Sequence, residues 1–172
     1  IRAAVGDQVE LFVEGHGRFD LPCATRLAKA MEPFRPGFFE EPLVPELNHH
    51  IPKLIEQTNI TIALGERLSH PSLFETFLRD CSNLVLQPDL THIGGIRGAQ
   101  QVSAMANQRG WRVAPHNAGG PLATAHNLHF GITSPDVLVQ ETFDDFEDPW
   151  VMEAFTGSAP IRQGRFERPS SP

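Results

Sequence analysis

Six short apolar runs, each closing on an ionisable residue, recur along this chain at an almost constant interval. Glu14, Glu40, Glu66, Asp89, His116 and Glu141 are separated by 26, 26, 23, 27 and 25 residues. One strand, one helix and two short loops occupy about that many residues, so the interval reads as repeated βα units with one ionisable group at the C-terminal end of each strand. The predicted strands are 9–14, 37–40, 61–64, 84–87, 112–115 and 137–141. Amphipathic stretches at 22–31, 48–57, 71–79, 96–108 and 121–129 supply the helices between them. Asp20, Ser69 and Gly119-Gly120-Pro121 stand where helix starts need caps or a first-turn proline. The first few residues read as the end of a preceding helix. From 144 onward Asp, then Gly, Pro and Ser, replace the apolar rhythm. Residues 1–143 are therefore expected to form six βα units of a barrel of parallel strands, and 144–172 a tail.

Charge and cysteine content narrow the partners. The formal net charge is −7, with no Lys/Arg cluster, which argues against surfaces for nucleic acid or anionic membrane. No apolar run approaches the roughly 18–20 residues that span a bilayer. Cys23 and Cys81 are too few and too distant for a disulfide framework, so a reducing cytoplasm is the expected compartment. Lys29 and Lys53, the only lysines, fall on helices, which removes a lysine base.

In a barrel of parallel strands, the loops after the strands all open on one face, and chemistry collects there. Glu14, Glu40 and Glu66 on three successive strand ends place three like charges together, which calls for a cation; hard oxygen ligands select Mg²⁺, with Mn²⁺ as the alternative. Asp89 and His116 follow on the next two strand ends, where a carboxylate can orient an imidazole and raise its pKa. Small residues flank His116, leaving room for a ligand. His16, two residues beyond Glu14, is expected on the same side of the pleat as a second acid/base group. His92 and His70 follow strand-end loops within reach of a substrate. Arg18 is left between two roles, binding a substrate hydroxyl or carboxylate and pairing with a neighbouring acid.

The motifs Glu14-Gly15-His16-Gly17-Arg18, Phe39-Glu40-Glu41-Pro42, Leu64-Gly65-Glu66, Gln87-Pro88-Asp89-Leu90 with His92-Ile93-Gly94-Gly95-Ile96, Ala114-Pro115-His116 and Gln140-Glu141 appear in order. In them the sequence resembles the mandelate racemase subgroup of the enolase superfamily, and within it the D-galactonate dehydratase type of acid-sugar dehydratase. That resemblance implies strands 3–8 of a (β/α)7β TIM barrel, with a capping domain and two strands expected ahead of Ile1 and the tail 144–172 packing on the barrel or on that capping domain. It implies Mg²⁺ on Glu14, Glu40 and Glu66, although the subgroup usually carries Asp at the first position. It makes His116 with Asp89 the base that removes the proton α to a carboxylate, His16 the acid for the departing 3-hydroxyl, and Glu141 a hydrogen-bond donor to the enediolate. The implied reaction converts an aldonate such as galactonate to a 2-keto-3-deoxy acid, in a homo-oligomer. A racemase or epimerase using His16 and His116, and a non-catalytic metal-binding barrel, are the rival expectations.

Overall fold

The structure is a computed structural model describing residues 1–143, 148–155, 157 and 159–167. A short helix α1 (Arg2–Val5) leads into β1 (Phe12–Glu14), α2 (Leu21–Met31), β2 (Phe38–Glu40), α3 (Ile51–Ile55), β3 (Ile62–Leu64), α4 (Glu75–Asp80), β4 (Val85–Leu86), α5 (Gly95–Gln108), β5 (Arg112–Val113) and α6 (Pro121–Thr133). The five strands pair in sequence order, every neighbour parallel to the last, which makes an arc of a β/α barrel. After α6 come a helix α7 (Pro149–Glu153) and an antiparallel hairpin of β6 (Ile161–Arg162) and β7 (Arg165–Phe166). Val151 approaches Gly120 at the start of α6. The tail positions 144–147, 156, 158 and 168–172 lie outside the described residues.

The strands read as continuous apolar runs because a parallel sheet is covered on both faces. Phe38, Ala63, Val85 and Ala114 form a layer on the inner face. Phe39, Ile62, Leu64, Leu86 and Val113 face the helices, where Ala24, Ala28, Phe74, Val102 and Phe130 complete the larger core. With a period of two, Glu14 and Glu40 stand two residues past the inward Phe12 and Phe38, whose rings stack 4.1 Å apart, and so project on the same inner face.

Several boundaries differ from the sequence-based expectation. Residues 9–11 stay outside β1, where the Arg2 guanidinium takes the Val9 carbonyl at 2.6 Å. The helix expected over 48–57 begins as a 3₁₀ segment, Pro45–His50, before α3, since Pro45 and Pro52 each lack an N–H. His70, not Ser69, caps the next helical segment. Its Nδ1 accepts the Ser72 N–H at 3.2 Å, which gives His70 a structural task in place of the expected reach toward substrate. The sixth strand, expected over 137–141, contracts to a single parallel bridge between Val113 and Val137; the next ladder position beyond β5 is Pro115, which has no N–H to donate, and the Arg112 guanidinium adds bonds to the Asp136 and Val137 carbonyls at 2.9 and 3.1 Å. Among the described residues, no helix is long and apolar enough to cross a membrane.

Candidate metal and proton-transfer site

Equal spacing in the sequence does not give equal register in the sheet. Glu14 pairs directly with Glu40, but Glu40 pairs with Ala63, so Glu66 comes three residues late. Gly65 makes up the difference. Its φ of 139° turns the chain at the position that should face inward, and a Cβ there would meet the Phe74 ring at 2.7 Å. The expectation that all six ionisable groups sit at equivalent places is thus corrected to two equivalent pairs, Glu14 with Glu40 and Asp89 with His116. Asp89 and His116 each lie three residues beyond the register pair Leu86 and Val113.

Despite the offset, one carboxylate oxygen from each of Glu14, Glu40 and Glu66 lies within 4.8 Å of the others. Glu40 and Glu66 are buried and Glu14 is exposed. Burial, with the charges of Glu14, Glu141 and Glu66 added, pushes Glu40 up to about 8, against a smaller opposing effect of the Gln87 amide. Burial likewise raises Glu14. Glu40 Oε1 is buried without a hydrogen-bond partner. An orphaned oxygen beside two further carboxylates suits a hard divalent cation. The oxygens around an octahedral Mg²⁺ lie up to about 4 Å apart, which small side-chain rotations would reach.

His116 stands half-buried next to this cluster. Its Nδ1 is 2.8 Å from Asp89 Oδ2 and its Nε2 3.2 Å from Glu66 Oε2. Burial opposes the charged ring, but the Asp89 hydrogen bond and the Glu66 and Glu141 charges outweigh it and push His116 up to about 9. Burial also opposes the Asp89 charge, yet hydrogen bonds from His116 and Thr91 hold that carboxyl down at about 2. The Thr91 N–H and Oγ1 both donate to Asp89 Oδ1, at 2.6 and 2.5 Å, leaving Oδ2 for the imidazole. Glu141 is fixed by the Asn117 N–H, which donates to its Oε2 at 2.8 Å. Asn117 Nδ2 in turn donates to Thr124 Oγ1 at 2.9 Å. A cavity of about 180 Å³ lies below the acids, lined in part by Phe12, Phe38, Glu40, Gln87, Ala114 and Glu141.

The remaining expected residues divide. His16 lies beyond the end of β1, exposed and with φ 55°, so the pleat argument does not extend to it. Its N–H donates to Glu14 Oε1, which ties the turn to the cluster through the backbone. His92 is exposed, with Nδ1 3.3 Å from the Glu66 carbonyl and 3.7 Å from Asp89 Oδ2. Arg18 is exposed, and among the described residues its side chain makes no hydrogen bond or ion pair, so the neighbouring acid considered for it does not engage it. Two residues escaped the sequence reading. Arg67 Nη2 pairs with Glu66 Oε1 at 2.9 Å, and its Nε lies 3.9 Å from Oε2 of the buried Glu41. Their signal was adjacency, since each directly follows a candidate ligand.

A parallel β/α-barrel arc whose strand ends gather three carboxylates and an Asp–His pair defines the class: a β/α barrel with its ionisable groups clustered on one face. The particular family follows from comparison. Residues 1–172 match the family described as Enolase C-terminal domain-like, and the chain belongs to that family, in the mandelate racemase subgroup of the enolase superfamily. It is 40% identical over 141 residues to D-galactonate dehydratase of Pectobacterium atrosepticum, covering 82% of this chain and 37% of that protein. The mandelate racemase/muconate lactonizing enzyme-like protein of Roseovarius sp. TM1035 superposes with a TM-score of 0.90 at 35% identity, covering 99% of this chain and 42% of the other. An enolase from Pantoea ananatis with bound D-gluconate and Mg superposes with a TM-score of 0.85 at 27% identity, covering 96% and 40%. The chain thus spans 37% of the length of the curated relative it matches.

Proposed function

We propose that this chain carries the chemical face of a Mg²⁺-dependent hydro-lyase that dehydrates a sugar acid, an aldonate such as galactonate, to a 2-keto-3-deoxy acid. The observation that carries the reading is the alignment of Asp89, His116 and Glu66 beside the three-glutamate cluster. The named relative and the gluconate-bound neighbour support the substrate class.

In this reading Glu14, Glu40 and Glu66 hold the cation. When bound, Mg²⁺ supplies Lewis-acid stabilisation of the charge that develops on the substrate carboxylate. Asp89 holds Nδ1 of His116 protonated, so that Nε2 is the basic atom. Nε2 faces Glu66 Oε2 in this structure; with that carboxylate committed to a cation, the charge that holds a proton on Nε2 would be withdrawn, and Nε2 would release it to solvent before accepting another. The C2–H bond breaks, its proton goes to His116 Nε2, and its electron pair moves into the enediolate. Glu141, fixed by the Asn117 N–H, hydrogen-bonds one enediolate oxygen. The enediolate electrons then re-form the carboxylate and make a C2=C3 double bond as the C3–O bond breaks with its electron pair on oxygen, and His16 gives that oxygen a proton, releasing water. Uptake of a proton at C3 as the enol ketonises completes the balance. His92 and Arg18, both exposed at this mouth, bind substrate hydroxyl or carboxylate groups. Residues 1–143 supply the barrel portion and the described part of the tail, 148–155 and 159–167, packs on the barrel or on a capping domain, in a cytoplasmic homo-oligomer.

The test is to incubate the whole protein with Mg²⁺ and a panel of aldonates and to assay for 2-keto acid. A 2-keto-3-deoxy product is expected. An epimer in its place would mark the racemase alternative, Mg²⁺ binding with neither product would mark the non-catalytic metal-binding barrel, and no Mg²⁺ binding would overturn both enzyme readings.

A further inference from the structure

Arg67 sits where three loops of the mouth meet. Its Nη2 pairs with Glu66 Oε1 at 2.9 Å and donates to the His16 carbonyl at 3.3 Å, while its Nε faces Glu41 Oε2 at 3.9 Å. The guanidinium also lies against Gly17, where a Cβ would come 3.3 Å from Nε. Glu41 is the anchor. It is only 2% exposed, and its Oε1 accepts the Gly65 N–H at 2.8 Å. Its Oε2 is buried without a hydrogen-bond partner, so Arg67 is the cation that compensates that oxygen.

The turn that Arg67 holds is not self-supporting. His16 adopts φ 55° and Gly17 φ 62°, and a non-glycine residue in the left-handed region persists where its surroundings over-determine it. Here the Gly15 N–H reaches the Glu40 carbonyl at 2.8 Å and the Gly17 N–H reaches the Glu41 carbonyl at 2.7 Å. Those two bonds fix the flanks, and Arg67 takes the carbonyl of His16 itself.

We propose that Arg67, anchored on Glu41, is a positioning residue that locks the His16 turn to Glu66, so that the acid for the leaving hydroxyl is held in register with the proton-abstracting side of the site. This rests on the dehydratase reading above. Without the clasp, His116 still removes the C2 proton. The C3–O bond, however, lacks a placed proton donor, and a group displaced by about 1 Å can lose about a hundredfold in rate. The enediolate then returns to substrate and takes its proton back from His116 after exchange with solvent. Proton exchange and product formation come apart.

The test uses the whole protein with Mg²⁺ in deuterated water, galactonate as first probe, and the other aldonates if galactonate is not turned over. NMR follows loss of the C2–H signal and appearance of the 2-keto-3-deoxy acid. Arg67→Met is expected to raise the ratio of exchange to product by about tenfold or more over wild type. Arg67→Lys, which keeps the charge but loses the planar fork, and Glu41→Gln, which keeps an acceptor for Gly65, shift the ratio the same way by less. An unchanged ratio in Arg67→Met, with both rates falling together or neither falling, would overturn the inference. If Arg67→Met does not fold, the other two variants decide: a raised ratio in either supports the clasp, and an unchanged ratio in both overturns it. Wild-type protein that gives neither exchange nor product with any aldonate overturns the dehydratase reading and this inference with it. Turnover by wild type with unaltered variant ratios overturns this inference alone.

Discussion

The strand ends of β1 and β2 carry the same residue in direct register, yet Glu14 is exposed and Glu40 is 8% exposed. The difference lies in what flanks them. β2 has a parallel neighbour on each side, whereas β1 is the outer strand of the arc and continues into a left-handed turn. Burial therefore isolates Glu40 with an orphaned oxygen, while Glu14 keeps solvent and accepts a hydrogen bond from the His16 N–H. Identical chemistry at one register thus yields one deeply buried carboxyl with an orphaned oxygen and a second that burial also raises but that stays partly open to water.

Substituting the two residues gives the largest expected separation. Glu40→Gln should weaken Mg²⁺ binding by more than about a hundredfold, and Glu14→Gln, open to water that can take the vacated position, by about tenfold. Titration calorimetry measures both, and equal losses would break the contrast. Gly65 joins the two halves of the cluster. Gly65→Ala should cost roughly 1–3 kcal/mol, because φ is 139° and the Phe74 ring already fills the space. Gly94→Ala, with positive φ and open space, should cost less. Urea denaturation distinguishes them.

pH sharpens the contrast further. Glu40 is raised from 4.5 to about 8, so the folded chain without Mg²⁺ binds more protons than the unfolded chain between those values. Its stability should fall as pH rises from about 5 to about 8. His116, raised from 6.5 to about 9, acts in the same direction, with its contribution fully present below 6.5 and lost through about 9. Mg²⁺ should thus raise Tm more at pH 8 than at pH 5, and Glu40→Gln should flatten the metal-free profile, both read by thermal unfolding. At the small end, Asp20 Oδ1 accepts the Cys23 N–H at 2.8 Å to cap α2 and is not one of the clustered carboxylates. Asp20→Ala should cost about 1 kcal/mol without altering Mg²⁺ affinity.

The arc itself was legible in the sequence because apolar period and helix caps are local signals: the Asp20 cap and α5 fall within a residue of expectation. The sixth strand was not legible, since Val113 meets Val137 in one bridge while Arg112 claims the carbonyls beside it. The cluster of Glu14, Glu40 and Glu66 was readable from spacing, but for a partly mistaken reason. Even spacing suggested even register, whereas the turn at Gly65 is what returns Glu66 to its partners. Arg67 and Glu41 were hidden because their task depends on contacts across three loops, which no interval along the chain encodes. His16 was placed by a strand period that ends at Glu14.

The central claim is that His116, backed by Asp89 and set beside the glutamate cluster, removes a proton α to a carboxylate. The direct measurement is deuterium incorporation at C2 of an aldonate by wild type and by His116→Asn, each with and without Mg²⁺, followed by NMR. Expected is Mg²⁺-dependent exchange in wild type and a loss of about a hundredfold or more in the variant. Exchange at the wild-type rate in His116→Asn, or in wild type stripped of Mg²⁺, would contradict it.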